Sequence, residues 1–153
     1  MILTFRPSHL DDQEAVTLLA EYEAELLRFG IVLDRGEPGG VSSDELIAPN
    51  GAFLIAELDG ITTGCGGVRR LAEPGIAEVK RMYVVPDARK RGVGAALLAR
   101  LEDEARSLGC QVTRLDTGPG MEAALALYRG AGYHEIADYN GNPHAAYWME
   151  KRI

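Results

Sequence analysis

Hydrophobic positions along this chain change period in a regular order, and that order predicts its elements. "ILTFRP" reads as a short strand stopped by Pro7. Across "DDQEAVTLLAEYEAELLRFG" the residues Ala15, Leu19, Tyr22, Leu26 and Phe29 recur at helical spacing, with carboxylates opposite. Asp11 is the expected N-cap, followed by Glu14 in capping-box position, and Gly30 is the expected stop. The next stretch, "LDRGEPGGVSSDELIAPNG", is rich in Gly, Pro and Ser. It is too long for a connector and reads as a lid or substrate gate, with one helical turn at Ser43-Asp44-Glu45-Leu46.

The period then shortens to that of strands. "AFLIAELDG" ends in an Asp-Gly turn signal, "TTGCGGVRRL" returns, and "IAEVKRMYVV" follows the Pro74-Gly75 break. Two such short reversals predict an antiparallel meander. A long helix comes next, with Val93, Leu97, Leu101, Ala105 and Leu108 on its apolar face and Gly109 at its end. "QVTRLDT" is a strand, so strand–helix–strand predicts one right-handed parallel crossover. "EAALALYRGAG" is a further helix, and "YHEIADY" and "AAYWMEKRI" are final strands joined by "NGNPH". The expected fold is α/β: a mixed, mostly antiparallel sheet with a central parallel strand–helix–strand unit and flanking helices, in one domain spanning 1–153.

Composition narrows the class of function. A formal charge of −7, from 16 Lys+Arg against 23 Asp+Glu, argues against a nucleic-acid partner, because phosphate neutralisation needs a basic surface. No apolar run approaches the roughly 20 residues that span a bilayer. "MILTFRPSHLDD" lacks a cationic region followed by an apolar one, so the expectation is a cytoplasmic protein without a membrane partner. Cys65 and Cys110 lack CxxC spacing, and His9, His134 and His144 lack metal-ligand spacing, so neither a disulfide nor a metal is expected.

Within that acidic chain, "VVPDARKRGVGAALLARLEDEARSLG" gathers Arg89, Lys90 and Arg91 between an apolar run and a helix pattern. First-turn N–H groups of a helix lack intrahelical partners, and the macrodipole adds partial positive charge. Gly92 and Gly94 would keep side chains out of an anion's way, and the three basic residues would supply charge. The junction reads as a pyrophosphate cradle. It is not a Walker A loop. A dinucleotide-binding crossover is the competing reading, with Asp116 as its acidic residue. Leu97 stands where that motif needs its third glycine, the turn is long, and the second half of a doubly wound sheet is missing.

"Arg89-x-x-Gly92-x-Gly94" resembles the acyl-CoA signature of the GNAT superfamily of N-acetyltransferases. "EVKRMYVVP" resembles that family's fourth strand and "ALALYRGAGY" its second motif, and the order of elements matches over essentially the whole chain. The resemblance implies an acetyl-CoA-dependent enzyme that moves an acetyl group to a small-molecule or peptide amine by direct attack in a ternary complex. It implies that backbone amides from Arg91 through Gly92, Val93 and Gly94 to Ala95 hold the CoA pyrophosphate, with Arg89 and Lys90 nearby. It further implies that the backbone of Met82, Tyr83 and Val84 pairs with the pantetheine arm. Tyr128 matches the family's tyrosine that protonates the departing thiolate.

Glu78 stands where some members carry a glutamate general base. Strand alternation would put Glu78, Lys80, Met82 and Val84 on one face, toward CoA. The bland alternative is a carboxylate paired with Lys80 or Arg81. Met121 occupies a position where many relatives have an Asn that contacts the pantetheine region, so Thr117 or a backbone group would have to substitute. Tyr22, Glu25, Arg28, the 34–50 loop, Tyr139, Asn140, Asn142 and His144 could frame the acceptor, whose identity the sequence does not give. Trp148 reads as a core or interface residue. A CoA-binding module without catalysis is the rival class, Cys65 is the residue on which a covalent route would turn, and exposed edge strands leave a homodimer open.

Overall fold

The computed structural model describes residues 1–33 and 38–153. Residues 34–37 of the expected gate lie outside the described residues. Strands β1 (Leu3–Pro7), β2 (Gly51–Leu58), β3 (Ile61–Arg70), β4 (Ile76–Val84), β5 (Val112–Thr117), β6 (His134–Ile136) and β7 (Tyr147–Arg152) form one sheet in the order β1-β2-β3-β4-β5-β7-β6. All neighbours are antiparallel except β4 and β5, which the long helix α2 (Val93–Ser107) connects as a parallel crossover. Because β5 pairs antiparallel with β7, the sheet is not doubly wound and the dinucleotide reading loses its scaffold.

One face of the sheet carries α2 and α3 (Glu122–Gly130), the other carries α1 (Gln13–Leu27) and a 3-10 turn at Ser43–Leu46. Leu97, Leu101 and Ala105 of α2 pack on Leu54, Val68, Ala77 and Val79, while Ala15, Leu18 and Leu46 pack with Phe53, Ile55, Cys65 and Tyr83. Strand β3 can be pressed from both sides because it is glycine-rich. A Cβ on Gly66 would lie 2.8 Å from Leu101 Cδ1, and one on Gly67 2.8 Å from Leu46 Cδ1. None of the described helices is long and apolar enough to cross a membrane.

Local capping differs from expectation in an instructive way. Asp12, not Asp11, precedes α1, and its carboxylate accepts from the Ser8 hydroxyl and the His9 N–H rather than from the helix. The capping box lies instead at the 3-10 turn, where Ser42 and Glu45 satisfy each other. On α1 the buried positions are Ala15, Leu18 and Leu26, with Phe29 exposed beyond the helix end.

Two irregularities make the centre of the sheet. First, the β3–β4 register slips between Cys65/Gly67, and Arg81 adopts φ 59. This bulge breaks the alternation expected on β4. Glu78 and Lys80 stay on the α1 side, opposite Arg69 and Gly67, whereas Met82 lies on the α2 side, 3.4 Å from the Cβ that Gly66 lacks. The expectation that Glu78, Lys80, Met82 and Val84 share a face is therefore corrected: strict period two does not survive an inserted residue. Second, β4 and β5 pair only from Ile76↔Val112 to Glu78↔Arg114. Beyond that point β5 continues along β7 to Thr117↔Tyr147 while β4 continues along β3, and the two strands part.

Glu78 sits where the strands part, 0% exposed. Arg69 on the adjacent strand clamps its Oε1 with Nε at 3.0 Å and Nη2 at 2.8 Å. The Arg69 guanidinium also reaches Glu45 Oε2 at 2.5 Å and the Gly40 carbonyl at 2.8 Å, tying the 3-10 turn to the sheet. Removing the cation would leave a buried carboxylate short of its strongest partner. Arg69→Met is expected to lower unfolding free energy by about 3–5 kcal/mol in urea titration. Glu45→Gln, on a half-exposed partner, should cost less than about 1 kcal/mol. Equal losses would contradict the assignment of Glu78 as the buried anchor.

Candidate active site

The parting of β4 and β5 opens a cavity of about 530 Å³ that runs from the start of α2, between the strands, to the loops before β2 and before β7. Backbone of β4 from Val79 to Val84 forms one wall, and Asp116, Thr117 and Gly118 at the end of β5 form the other. Residues Gly94, Ala95, Ala124, Leu127 and Tyr128 of α2 and α3 line the end where the crossover begins.

At that end Gly92 takes φ 83 and α2 starts at Val93. The left-handed conformation is what requires glycine there, since a Cβ on Gly92 would meet nothing within 4 Å. Gly94 has a different reason: its Cβ would lie 3.2 Å from Leu127 Cδ2, so its absence lets α3 close on α2. First-turn amides of α2 have no partner inside the helix, and Gly92, Gly94 and Ala95 at that turn border the cavity. The charges beside it are less uniform than "ARKR" implies. Arg89 Nε donates to the Val84 carbonyl at 2.9 Å, its Nη2 donates to Glu25 Oε1 at 2.7 Å, and its guanidinium covers the Tyr83 ring. Arg89 is thus a brace between β4 and α1. Lys90 borders the cavity, and Arg91 is exposed with Nη2 3.9 Å from Met1 Sδ.

Of the residues singled out from the sequence, Met82, Tyr83, Val84, Arg89, Lys90, Gly92, Gly94, Ala95 and Tyr128 come together around this one cavity. Val93 is buried against Ala56 and Ala88 and offers only its backbone, and Arg91 lies beside the rim. Glu78 does not border the cavity. Its Oε2 accepts from Tyr139 Oη at 2.5 Å and from Asn140 Nδ2 at 3.0 Å, so with Arg69 its four acceptor directions are filled. Lys80 Nζ stands 3.6 Å from Glu78 Oε1 and donates to Asp116 Oδ2 at 3.3 Å.

Tyr128 is 8% exposed, and its hydroxyl has no hydrogen-bond partner among the described residues. Burial pushes its phenol well above the ordinary range, and the nearby carboxylate of Asp116 adds to this. The ring meets Tyr133 edge-on at 6.1 Å. Tyr133 is itself fixed, its hydroxyl at 2.7 Å from Thr113 Oγ1 and donating to Glu102 Oε2 at 2.8 Å, while Lys151 holds the other oxygen of Glu102. Tyr128 is therefore a phenol held at the wall of the cavity by its packing on Tyr133. Thr117 is the other unsatisfied group: its Oγ1 is buried without a partner and borders the cavity.

The sequence offers Asn140 as part of a frame for the acceptor pocket, Lys80 as a partner of Glu78 and Asp116 only as the acid of a dinucleotide motif; the structure joins the three in one network. Asp116 Oδ2 accepts from Asn140 at 2.6 Å and from Asn142 and Lys80 at 3.3 Å each. Trp148 lies opposite Asp116 on β7 and donates from Nε1 to Asn140 Oδ1 at 2.9 Å. The available signal was weak: an acidic residue ending a strand, and a turn dense in Asn. The "NGNPH" segment is a loop whose amides are held by the Asp138, Asn140 and Asn142 side chains, and it delivers two donors to one carboxylate. Among the described residues no His/Cys/Asp/Glu group could hold a metal ion.

The chain as a whole is similar to known proteins. The family model described as Acetyltransferase (GNAT) family matches residues 5–133. An IAA acetyltransferase of Azospirillum brasilense is 39% identical over 111 residues, covering 71% of this chain and 72% of that protein. A Klebsiella pneumoniae structure assigned to the acyl-CoA N-acyltransferases superposes with a TM-score of 0.79 at 30% identity, covering 99% of this chain and 97% of its own. The PaiA N-acetyltransferase of Thermoplasma acidophilum, solved in complex with coenzyme A, shares the fold with a TM-score of 0.74 at 18% identity, covering all of both chains. The mixed sheet, its single parallel pair and the match over most of the sequence place this chain in the GNAT family of acetyltransferases.

Proposed function

We propose that the protein transfers an acetyl group from acetyl-CoA to a primary amine of a small molecule or peptide, by direct attack within a ternary complex. The observation that carries this reading is the neutral, unpartnered Tyr128 hydroxyl facing the same gap as the β4 backbone and the α2 start. Acetyl-CoA is the donor substrate. Amides of Val93, Gly94 and Ala95, with Lys90 and Arg91 beside them, hold its pyrophosphate. The backbone of Met82 and Tyr83 pairs with the pantetheine arm as an added strand would. The Val84 carbonyl is already engaged by Arg89, so Val84 contributes less. Thr117 supplies the side-chain contact on the β5 side, in place of the Asn that Met121 displaces.

In the transfer, the neutral amine nitrogen forms the C–N bond, the C–S bond breaks, and the thiolate takes the proton of Tyr128. The proton that nitrogen sheds returns through solvent to the phenolate. Because burial raises the Tyr128 phenol, it stays protonated throughout the alkaline range in which amines react. Glu78 serves this reading as a positioning residue that fixes the mouth of the gap, since no lone pair is left for a proton.

A covalent route through Cys65 lacks support. Its thiol is fully buried, donates to the Arg81 carbonyl at the bulge, and is pushed up to about 12 by burial. A thiol is the weaker nucleophile in that form.

Tyr128→Phe is expected to lower kcat about 100-fold, the usual range for a general acid, with acetyl-CoA affinity unchanged. Thiol release with a panel of primary amines, and calorimetry with acetyl-CoA, check both halves. Full activity of the variant would remove Tyr128 from the chemistry, and acetyl-CoA binding with no turnover on any amine would favour a binding module. Native protein at pH 8 should leave both cysteines unreacted with a disulfide reagent until denaturant is added. Rapid modification of Cys65 together with lost activity in Cys65→Ser would revive an acyl-enzyme.

A further inference from the structure

The acceptor end of the cavity carries information about what it takes. Three described carboxylates border the cavity: Glu25, Glu122 and Asp116. Glu25 is spent on Arg89, and Glu122 is exposed at the start of α3. Asp116 alone is set inside, its side chain 11% exposed. All three of its hydrogen bonds, from Asn140, Asn142 and Lys80, fall on Oδ2. Oδ1 receives none among the described residues. A carboxylate has acceptor positions on both oxygens, so one oxygen of a residue that borders the cavity is left without a partner among the described residues.

Beyond its polar partners, apolar side chains stand on this part of the cavity wall. Phe29 and Ile31, beyond the end of α1, lie over the chain that follows Asp116. Phe29 Cδ1 is 2.7 Å from the Cβ that Gly120 lacks, and Ile31 Cδ1 is 2.2 Å from that of Gly118. The Tyr22 ring, edge-on to Tyr83 at 5.6 Å, closes the α1 side. Gly39 packs on Asn142, one of the donors to Asp116, and brings Val41 to the same wall. A fixed negative oxygen inside an apolar pocket fits a cation on an apolar body.

We infer that Asp116 is the acceptor-recognising carboxylate, its Oδ1 binding the ammonium of a primary amine whose apolar, aryl-sized body lies against Phe29, Ile31 and Tyr22. Lys80 and the two asparagines orient Asp116 by holding Oδ2, and Glu78 orients Lys80 and Asn140 in turn. Asp116 is thus a specificity residue rather than the acid of the reaction. This inference rests on the cavity being a transfer site, but binding tests it without turnover.

The probe is 2-phenylethylamine, compared with 2-phenylethanol, titrated calorimetrically into the protein with and without coenzyme A. The wild type is expected to bind the amine about 10- to 100-fold more tightly than the alcohol, the range of a hydrogen bond to a charged group. Asp116→Asn should lose that preference while binding coenzyme A as before. If Asp116→Asn fails to fold, the wild-type amine-to-alcohol ratio and Phe29→Ala, which should weaken both probes together, decide the matter. Equal binding of the two probes by the wild type, an undiminished preference in Asp116→Asn, or no saturable binding of either probe would overturn the inference. Failure to bind coenzyme A with the amine preference intact would instead sink the transferase reading and leave Asp116 as an amine site.

Discussion

Two parallel strands that begin as neighbours and then part open the cavity around which this molecule is arranged. The ladder between β4 and β5 closes at Glu78↔Arg114 because each strand then follows a different antiparallel partner. At the point of parting, a fully buried carboxylate is clamped by an arginine from the next strand and capped by a tyrosine and an asparagine from the loop before β7. A buried charge is tolerable only when so paired. The pairing thereby fixes how far the gap opens and what stands at its mouth. Beyond that mouth residues Val79 to Val84 of β4 border the gap, and the helix that links the two strands starts at its other end.

The same constraint decides between the two readings the sequence left open for Glu78, general base or paired carboxylate. A carboxylate that anchors strands must be saturated, whereas one that meets a substrate must keep an oxygen free. Glu78 is of the first kind and Asp116 of the second. Lys80 lies between them, and Asn140 donates to both, so the anchor and the recognising group are mechanically coupled. On the opposite side of the sheet a second buried network, Thr113–Tyr133–Glu102–Lys151, stands behind Tyr128 and holds its edge-on partner.

Much of this was legible in the chain. Alternation and helical spacing located the strands and the three helices, and "RGVG" located the turn that opens α2. The order of elements gave the mixed sheet. What escaped were features with no periodic signature. The bulge at Arg81 inserts a residue into β4, and counting by twos across it puts Met82 and Val84 on the wrong face. Arg89 looked like mobile charge but is a brace, because its partners Glu25 and Val84 come from distant and local chain alike. Gly94 looked like room for an anion but is room for Leu127. Asp116 was readable only as the acid of a dinucleotide motif, since its donors come from β4 and from a loop far along the sequence.

In the proposed function, the parted edge of β4 and the first turn of α2 form one binding surface for acetyl-CoA. Amide hydrogen exchange reads that surface directly, because backbone groups without partners exchange fast until a ligand covers them. Adding acetyl-CoA should slow exchange at residues 82–84 and 92–95 together. Unchanged exchange at both segments, or slowing confined to other parts of the chain, would contradict the account.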